Sequence, residues 1–288
     1  MIRRPLFLRA AVALLLSSAL LPAHAADHLA QVRASQTLTL GFVAGDAPIS
    51  AGTAEQPSGY AIELCGLLGE QLKQQLGLAE LKLRYQPLTA ATMLDAVATS
   101  QVATVCSAVG DTLKRREQVS FSLPYFAAGL GVVVRRDAPA SLLTPINEGA
   151  QQRGPVWRAT LNQGLNRHSF AVLQDSVSVD WARARLRALG LQSELREVPS
   201  NAAGLAMVVN GQVDAFFADR LVLLNYQAEN PRGGELLVPE RLFDVLPVAL
   251  PLARGDDTWQ LAVDRALSQV QRSTAGQALY ARYFGPPS

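Results

Sequence analysis

Two adjacent arginines, Arg115 and Arg116, are the residues of this sequence best suited to binding an anion. An arginine can hold a carboxylate through two parallel charge-assisted hydrogen bonds. Both arginines follow a short apolar segment, 102–107, that predicts a strand, and ligands of α/β proteins bind beyond the carboxyl ends of strands. The alternative is that both are solvated helix residues, because arginine side chains are mostly exposed.

Asp219 is the matching candidate for binding a positively charged group. It follows a second apolar segment, 213–217, that also predicts a strand, and a carboxylate at a strand end can accept hydrogen bonds from an ammonium group. Its alternative partner is the neighbouring Arg220. The turn at 175–178 precedes a predicted helix, so its free N–H groups and hydroxyls could hold an anion; the alternative is an ordinary capped helix.

Other classes of chemistry find little support. The sequence has no GxSxG, Walker or GxGxxG motif, and no pair of carboxylates stands out as a tuned acid and base. Cysteine–histidine catalysis would need Cys65 or Cys106 near His168, and two cysteines with few histidines do not make a structural metal site. The net charge is +2 without a long basic run, which argues against nucleic-acid binding. We therefore expect no enzyme activity, metal or cofactor.

The predicted elements form two similar halves. In the first half the pattern predicts a strand at 37–43, a helix over 61–76, a strand at 81–85, a helix capped by Thr89 and a strand at 102–107. In the second half it predicts a strand at 170–173, a helix capped by Ser176 or Ser178 and ended by Gly190, a strand at 195–198, a helix capped by Ser200 and a strand at 213–217. Residues 89–106 align with residues 200–217 at an offset of 111, so that the predicted helix caps coincide and the predicted strands coincide. We expect two lobes, each with a mainly parallel sheet covered by helices.

Residues 1–25 have the pattern of a signal peptide. Three arginines precede a run of twelve residues, 10–21, that is apolar except for two serines, and Ala23 and Ala25 fit a cleavage site; an uncleaved anchor is the alternative. No later run reaches 18 apolar residues without charges, so we expect a soluble mature protein. In an exported protein, Cys65 and Cys106 are expected to form a disulfide, with two buried thiols as the alternative.

Five segments, taken in order, resemble those of one family. They are TLTLGFV at 37–43, GYAIELC at 59–65, TLKRREQVSFSLPY at 112–125, GQVDAFFADR at 211–220 and ARYFG at 281–285. Each segment alone is a weak match, but the five in this order are a specific signal of the family. Over about 36–286 the chain resembles the extracellular solute-binding proteins of family 3, the periplasmic receptors of polar amino-acid ABC importers.

The resemblance implies a type II periplasmic-binding-protein fold, an α/β architecture of two lobes joined by two crossing strands. It assigns residues 36–127 and 247–288 to lobe 1 and residues 128–246 to lobe 2. It also implies a periplasmic monomer that binds a small amino acid or carboxylate in the cleft between the lobes and delivers it to an inner-membrane ABC permease.

The resemblance also assigns roles to individual residues. In the family's pattern Arg115 clamps the α-carboxylate of the ligand and Asp219 accepts its α-ammonium. Further polar groups are then expected to contact the carboxylate, namely Ser107, Gly110, Thr112, Ser176, Val177 and Ser178.

Three positions depart from the family's pattern. The first loop has no aromatic residue at 47–50, Gly110 replaces the usual Thr or Ser, and Ala103 replaces an Asp. Losing one hydroxyl bond to a charged ligand would weaken binding by about 1.5–3 kcal/mol.

Two alternative functions stay open. One is a dehydratase of the cyclohexadienyl or arogenate type on the same fold, and the other is a repurposed sensor or degenerate binding protein. Residues 139–168 look longer than the family's usual stretch and have no assigned role.

Overall fold

The computed structural model of this chain describes residues 27–148 and 164–284. The predicted signal peptide at 1–25 lies outside the described residues, as does the middle of the long 139–168 stretch. Over the described residues, helices that combine the length and the apolar character needed to cross a bilayer are absent.

Lobe 1 is built on a parallel three-stranded sheet whose strand order is β5-β1-β6. Its elements in chain order are α1 (His28–Ser35), β1 (Thr37–Val43), β2 (Gly45–Asp46), β3 (Ser50–Gly52), β4 (Pro57–Ser58), α2 (Tyr60–Leu76), β5 (Lys82–Leu88), α3 (Met93–Ala98), β6 (Thr104–Val105) and α4 (Leu113–Arg116). The short strands β2, β3 and β4 form a separate antiparallel sheet beside the cleft.

Lobe 2 follows the long strand β7 (Ser120–Arg135). Its elements are α5 (Ala140–Glu148), β8 (Phe170–Leu173), α6 (Val177–Leu189), β9 (Leu195–Val198), α7 (Asn201–Val209), β10 (Ala215–Asp219), α8 (Arg220–Glu229), a 3-10 turn (Gly233–Glu235) and β11 (Leu236–Leu237). The chain then returns through β12 (Asp244–Leu252) to α9 (Asp257–Arg272) and α10 (Thr274–Phe284), which pack on lobe 1. The sheet of lobe 2 has the order β11-β7-β10-β8-β9, with β12 also paired to β7.

The two lobes are connected by β7 and β12. These strands run antiparallel, with Asp244 opposite Leu130 at one end and Leu252 opposite Ser120 at the other. The lobe boundaries predicted at 127/128 and 246/247 fall inside these two strands. The register shifts twice, on either side of Ala249. Because one end of this pair belongs to each lobe, it is the part of the chain that can flex when the lobes move.

The repeat in the sequence corresponds to a repeat in topology. In lobe 1 the chain passes from the central strand β1 through α2 to β5 on one side, and then through α3 to β6 on the other. In lobe 2 it passes from β8 to β9 and then to β10 in the same way. All four of these strand pairs are parallel, as expected for βαβ units.

The core of lobe 1 contains the predicted disulfide. Cys65 of α2 is bonded to Cys106 just after β6, and both side chains are fully buried. The bond closes a loop of 41 residues, which is expected to stabilise the fold by about 4 kcal/mol through the entropy of the unfolded chain. Cys65 lies on the predicted apolar face of α2, and that helix ends with Gly77 in the left-handed conformation (φ 64°).

One predicted helix start differs from the structure. The regular helix α3 begins at Met93 and not directly after Thr89. Residues 89–92 form a turn in which the hydroxyls of Thr89 and Thr92 bond to each other and to nearby backbone N–H groups. Threonine side chains compete with the backbone for such bonds, and this delays the helix by one turn.

Candidate functional site

A cavity of about 130 Å³ lies between the two lobes. Six of the eight predicted ligand-binding residues line it, namely Gly110, Arg115, Ser176, Val177, Ser178 and Asp219. Apolar residues of the connecting strands, among them Leu130 and Leu246, form another part of its wall. The structure therefore brings together a guanidinium from lobe 1 and a carboxylate from lobe 2, although their positions in the sequence are about a hundred residues apart.

The side chain of Arg115 is held in place by its own loop. Thr112 caps α4, and its Oγ1 accepts a hydrogen bond from the Arg115 N–H at 3.2 Å. The Nη1 atom of Arg115 donates to the carbonyl of Gly110 at 3.0 Å. Burial lowers the pKa of Arg115, but a guanidinium remains charged at any physiological pH. Its remaining N–H donors are available to an anion in the cavity.

Arg116 has a different role from its neighbour. It forms a two-pronged ion pair with Asp111 on the surface, with Nε–Oδ1 at 2.7 Å and Nη2–Oδ2 at 2.6 Å. Half of its side chain is exposed. This guanidinium already has a carboxylate partner on the surface, whereas Arg115 lines the cavity. The two arginines, which are equally good candidates in the sequence, therefore have different roles in the structure.

Asp219 has one oxygen bonded and one free. It ends β10 and caps α8, and its Oδ1 accepts the Leu221 N–H at 2.8 Å. Its Oδ2 is buried without a hydrogen-bond partner among the described residues. Arg220 donates to the carbonyl of Pro239 instead, so the alternative pairing of Asp219 with Arg220 is not present. Burial raises the pKa of Asp219 to about 6.

The turn at 175–178 presents the start of α6 to the cavity. Ser176 precedes the helix but does not cap it with its side chain, because its hydroxyl donates to the carbonyl of Leu173. The first N–H groups of a helix have no acceptor within the helix, and those of Val177 and Ser178 belong to this set. The N-terminus of α6 therefore contributes partial positive charge to the wall of the cavity.

Ser107 and Thr112 differ from the prediction, since neither is among the residues that line the cavity. The Ser107 hydroxyl is fully buried, accepts the Val43 N–H at 2.8 Å and bonds to the Ser50 hydroxyl at 2.8 Å. Thr112 is occupied as the cap of α4. Both hydroxyls hold backbone segments beside the cleft, while Gly110 and Arg115 line the cavity itself.

Four polar or aromatic residues of the cavity were not predicted from the sequence, namely Asp46, Trp181, Asn201 and Asp244. Asp46 lies in the first loop of lobe 1, and its Oδ1 accepts a hydrogen bond from Nδ2 of Asn201 in lobe 2 at 3.0 Å. Burial and the charge of Asp219 raise the pKa of Asp46 to about 7. The only sequence signal for Asp46 was its place in a Gly- and Pro-rich loop, where aspartate is also an ordinary turn residue.

The lobes touch each other across the cleft. Besides the bond between Asn201 and Asp46, Lys114 of lobe 1 lies 3.0 Å from Asp180 of lobe 2. The lysine–aspartate pair is largely exposed, so it contributes about 1 kcal/mol at most. In the structure the two lobes are therefore in contact across the cleft.

These features define a two-lobed α/β binding protein with a charged cleft between its lobes. The sequence matches the model of the bacterial extracellular solute-binding proteins, family 3, over residues 38–286, and the chain belongs to this family. Solved structures with the same fold are type II periplasmic binding proteins. The function that family membership gives this chain is solute binding.

Individual relatives differ in what they bind. The chain is 23% identical over 282 residues to an L-glutamate/L-aspartate-binding protein of Pseudomonas aeruginosa, covering 96% of this chain and 86% of that one. An ancestral arginine-binding protein bound to glutamine has a TM-score of 0.71 at 20% identity, covering 87% of this chain and 98% of that one. An ancestral amino-acid-binding protein described as a precursor of cyclohexadienyl dehydratase has a TM-score of 0.69 at 23% identity, covering 90% and 100%. At these identities the structures show the fold and leave the ligand of this chain open.

Proposed function

We propose that this protein is the ligand-binding component of an importer for polar amino acids or related small carboxylates. The observation that carries the proposal is that Arg115 of lobe 1 and Asp219 of lobe 2 line the same cavity. An amino acid has a carboxylate at one end of its backbone and an ammonium at the other. Arg115 provides the donors for the first group, and the free oxygen of Asp219 accepts from the second.

Closure of the lobes is coupled to the ligand through this pair. A ligand bound to Arg115 alone leaves its ammonium facing water. When the lobes close, Asp219 reaches the ammonium and solvent is excluded, which strengthens both charged contacts. Because the ligand makes more contacts in the closed form, it shifts the population toward that form.

The proposal places the protein in the periplasm as a monomer. Its support is the family membership together with the signal-like pattern of residues 1–25. An inner-membrane ABC permease would then recognise the closed form and take over the ligand. This role requires no chemical change in the ligand and no cofactor.

A thermal-shift screen of amino acids and small carboxylates tests the binding function. A ligand that binds only the folded state stabilises it by about 2.7 kcal/mol at one hundred times its dissociation constant. We expect at least one polar amino acid to raise the melting temperature of the wild type by several degrees and to leave that of Arg115→Ala unchanged. If every compound leaves the wild type unchanged, the proposal is wrong.

The ligand-free protein is expected to open as the pH rises. In the closed form the pKa of Asp46 is about 7 and that of Asp219 about 6, both above the ordinary value of 3.8. The closed form therefore binds more protons, and its advantage is lost between about pH 4 and pH 7. Asp244 adds a further carboxylate to the same wall, and Arg115 is the cation there.

Small-angle scattering at pH 5 and pH 8 measures this opening as an increase in radius of gyration. We expect the increase in the wild type and a smaller one in Asp46→Asn, which keeps the acceptor for Asn201 but removes a buried charge. An equal response of the two proteins would contradict the assignment of the opening to Asp46.

One observation favours an enzyme as the second candidate. A half-buried carboxyl in the wall of the cavity with a pKa of about 7, as Asp46 has, is suited to act as a general acid near neutral pH. A dehydratase on this fold would need such a group in the cleft beside the anion clamp. Incubation with prephenate or arogenate, followed by ultraviolet absorbance, tests this. Product formation by the wild type that is lost in Asp46→Asn would show that the protein is an enzyme and not the binding component of an importer.

A further inference from the structure

The charged groups in the wall of the cleft are unbalanced. The cavity is lined by three carboxylates, those of Asp46, Asp219 and Asp244, while Arg115 is the one cationic side chain among the described residues that line it. A zwitterionic amino acid brings one negative and one positive charge. If its carboxylate pairs with Arg115 and its ammonium with Asp219, the excess of negative charge remains.

The excess is concentrated where the lobes meet. Asp46 of lobe 1 and Asp219 of lobe 2 are close enough for the charge of Asp219 to act on Asp46. Both groups are half-buried in the wall of the cavity, where like charges are screened less than in bulk water and repel each other without a counterion. Asp244 contributes less, because it is exposed and its Oδ1 accepts the adjacent Val245 N–H.

The same place contains hydrogen-bond acceptors without donors. Oδ1 of Asn201 and Oδ2 of Asp219 are both buried and have no partner in the described part of the chain. The bond from Nδ2 of Asn201 to Asp46 fixes the orientation of the amide and leaves its oxygen unpaired. Because the ligand's α-ammonium accounts for Oδ2 of Asp219 under the proposed function, Oδ1 of Asn201 is left as a buried acceptor for a further donor that the described residues do not supply.

A positively charged group that donates hydrogen bonds matches this position best, because it pairs with Asp46 and with the free oxygen of Asn201. An ammonium has three donors and a guanidinium has five, and neither accepts. Trp181 also lines the cavity and provides aromatic surface for the alkyl chain that carries such a group. A second carboxylate, as in an acidic amino acid, would instead be repelled by Asp46 and Asp219.

We propose that the ligand is a cationic amino acid, whose second basic group is held by Asp46 and the free oxygen of Asn201, while Oδ2 of Asp219 accepts from its α-ammonium. This inference rests on the proposed binding function and names its substrate class. The ligand then brings two positive charges and one negative charge, which balances Arg115 together with Asp46 and Asp219. The known relatives do not decide this point, because an acidic-ligand receptor and an arginine-binding protein both resemble the chain.

Calorimetry with matched ligands tests the inference. L-Arginine and L-citrulline have nearly the same shape, but only arginine has a cationic side chain; L-lysine, L-ornithine, L-glutamine and L-glutamate complete the panel. We expect at least one cationic amino acid to bind the wild type at least tenfold more tightly than citrulline, glutamine and glutamate. Asp46→Asn should reduce the affinity for that cation at least tenfold while changing the affinity for citrulline less than threefold.

A matched control is Glu80→Gln, which makes the same change of charge at an exposed position of lobe 1 outside the cavity. It should bind every ligand as the wild type does. Binding of citrulline, glutamine or glutamate as tight as that of the cations overturns the inference and leaves the proposed binding function standing. Absence of binding by the whole panel, together with a negative thermal-shift screen, overturns both.

Discussion

Arg115→Ala is expected to weaken ligand binding by at least about 30-fold. The guanidinium is half-buried in the wall of the cleft and oriented by the carbonyl of Gly110, so its loss removes the donors for the ligand's carboxylate. Truncating one partner of a buried, hydrogen-bonded charge pair costs about 2–5 kcal/mol. Titration calorimetry with the amino acid that gives the largest thermal shift measures the loss directly.

The neighbouring arginine provides the control for this experiment. Arg116→Ala removes the same side chain one residue later, but from a surface ion pair with Asp111. Its affinity should stay within about threefold of the wild type, since exposed ion pairs contribute little. A variant Arg115→Ala that binds as tightly as Arg116→Ala would show that Arg115 does not hold the ligand.

Asp219→Asn is expected to have a comparable effect on affinity. Asparagine keeps an oxygen for the Leu221 N–H and therefore preserves the cap of α8, while it removes the charge that faces the cavity. The amide can also turn an N–H₂ group toward the ligand's ammonium, which is repulsive. The expected loss is about 2–5 kcal/mol, or at least about 30-fold in the dissociation constant.

Two measurements separate loss of binding from loss of folding in this variant. The melting temperature of Asp219→Asn should be equal to or above that of the wild type at pH 8, because a buried carboxylate with a raised pKa is replaced by a neutral group. Asp137→Asn, which changes an exposed carboxylate of lobe 2 paired with Arg135, should bind normally. Undiminished binding by Asp219→Asn would exclude Asp219 as the ammonium acceptor.

The architecture was largely predictable from local patterns. Apolar spacing and a terminal glycine locate α2, and the same signals locate β8 and α6 in the other lobe. The internal repeat then predicts that both lobes share one topology, because right-handed βαβ units allow few arrangements. The start of α3 was predicted less well, since hydroxyl groups at 89–92 change the local hydrogen bonding.

The charged anchors were predictable only with the help of the resemblance. In the sequence alone Arg115 and Arg116 are equivalent in type and position. Only the fold shows that Arg116 forms an ion pair with Asp111. Similarly, Arg220 is a natural partner for Asp219 in the sequence, but its side chain turns to the carbonyl of Pro239.

Asp46 and Asn201 were not predictable because their role depends on the meeting of two lobes. They lie 155 residues apart and each has an ordinary local explanation, one in a turn and the other after a helix cap. Their bond and the electrostatic effect of Asp219 on Asp46 exist only once the cleft is closed. The same holds for Trp181, whose position on the apolar face of α6 predicts burial but not contact with the cavity.

A crystal structure with the tightest-binding amino acid of the screen shows most directly whether one molecule joins the two lobes. We expect the ligand's carboxylate at hydrogen-bond distance, about 2.7–3.2 Å, from the Arg115 guanidinium, and its amino nitrogen at the same distance from Oδ2 of Asp219. A ligand that touches only one of these two side chains, or that binds outside the cleft, would contradict it.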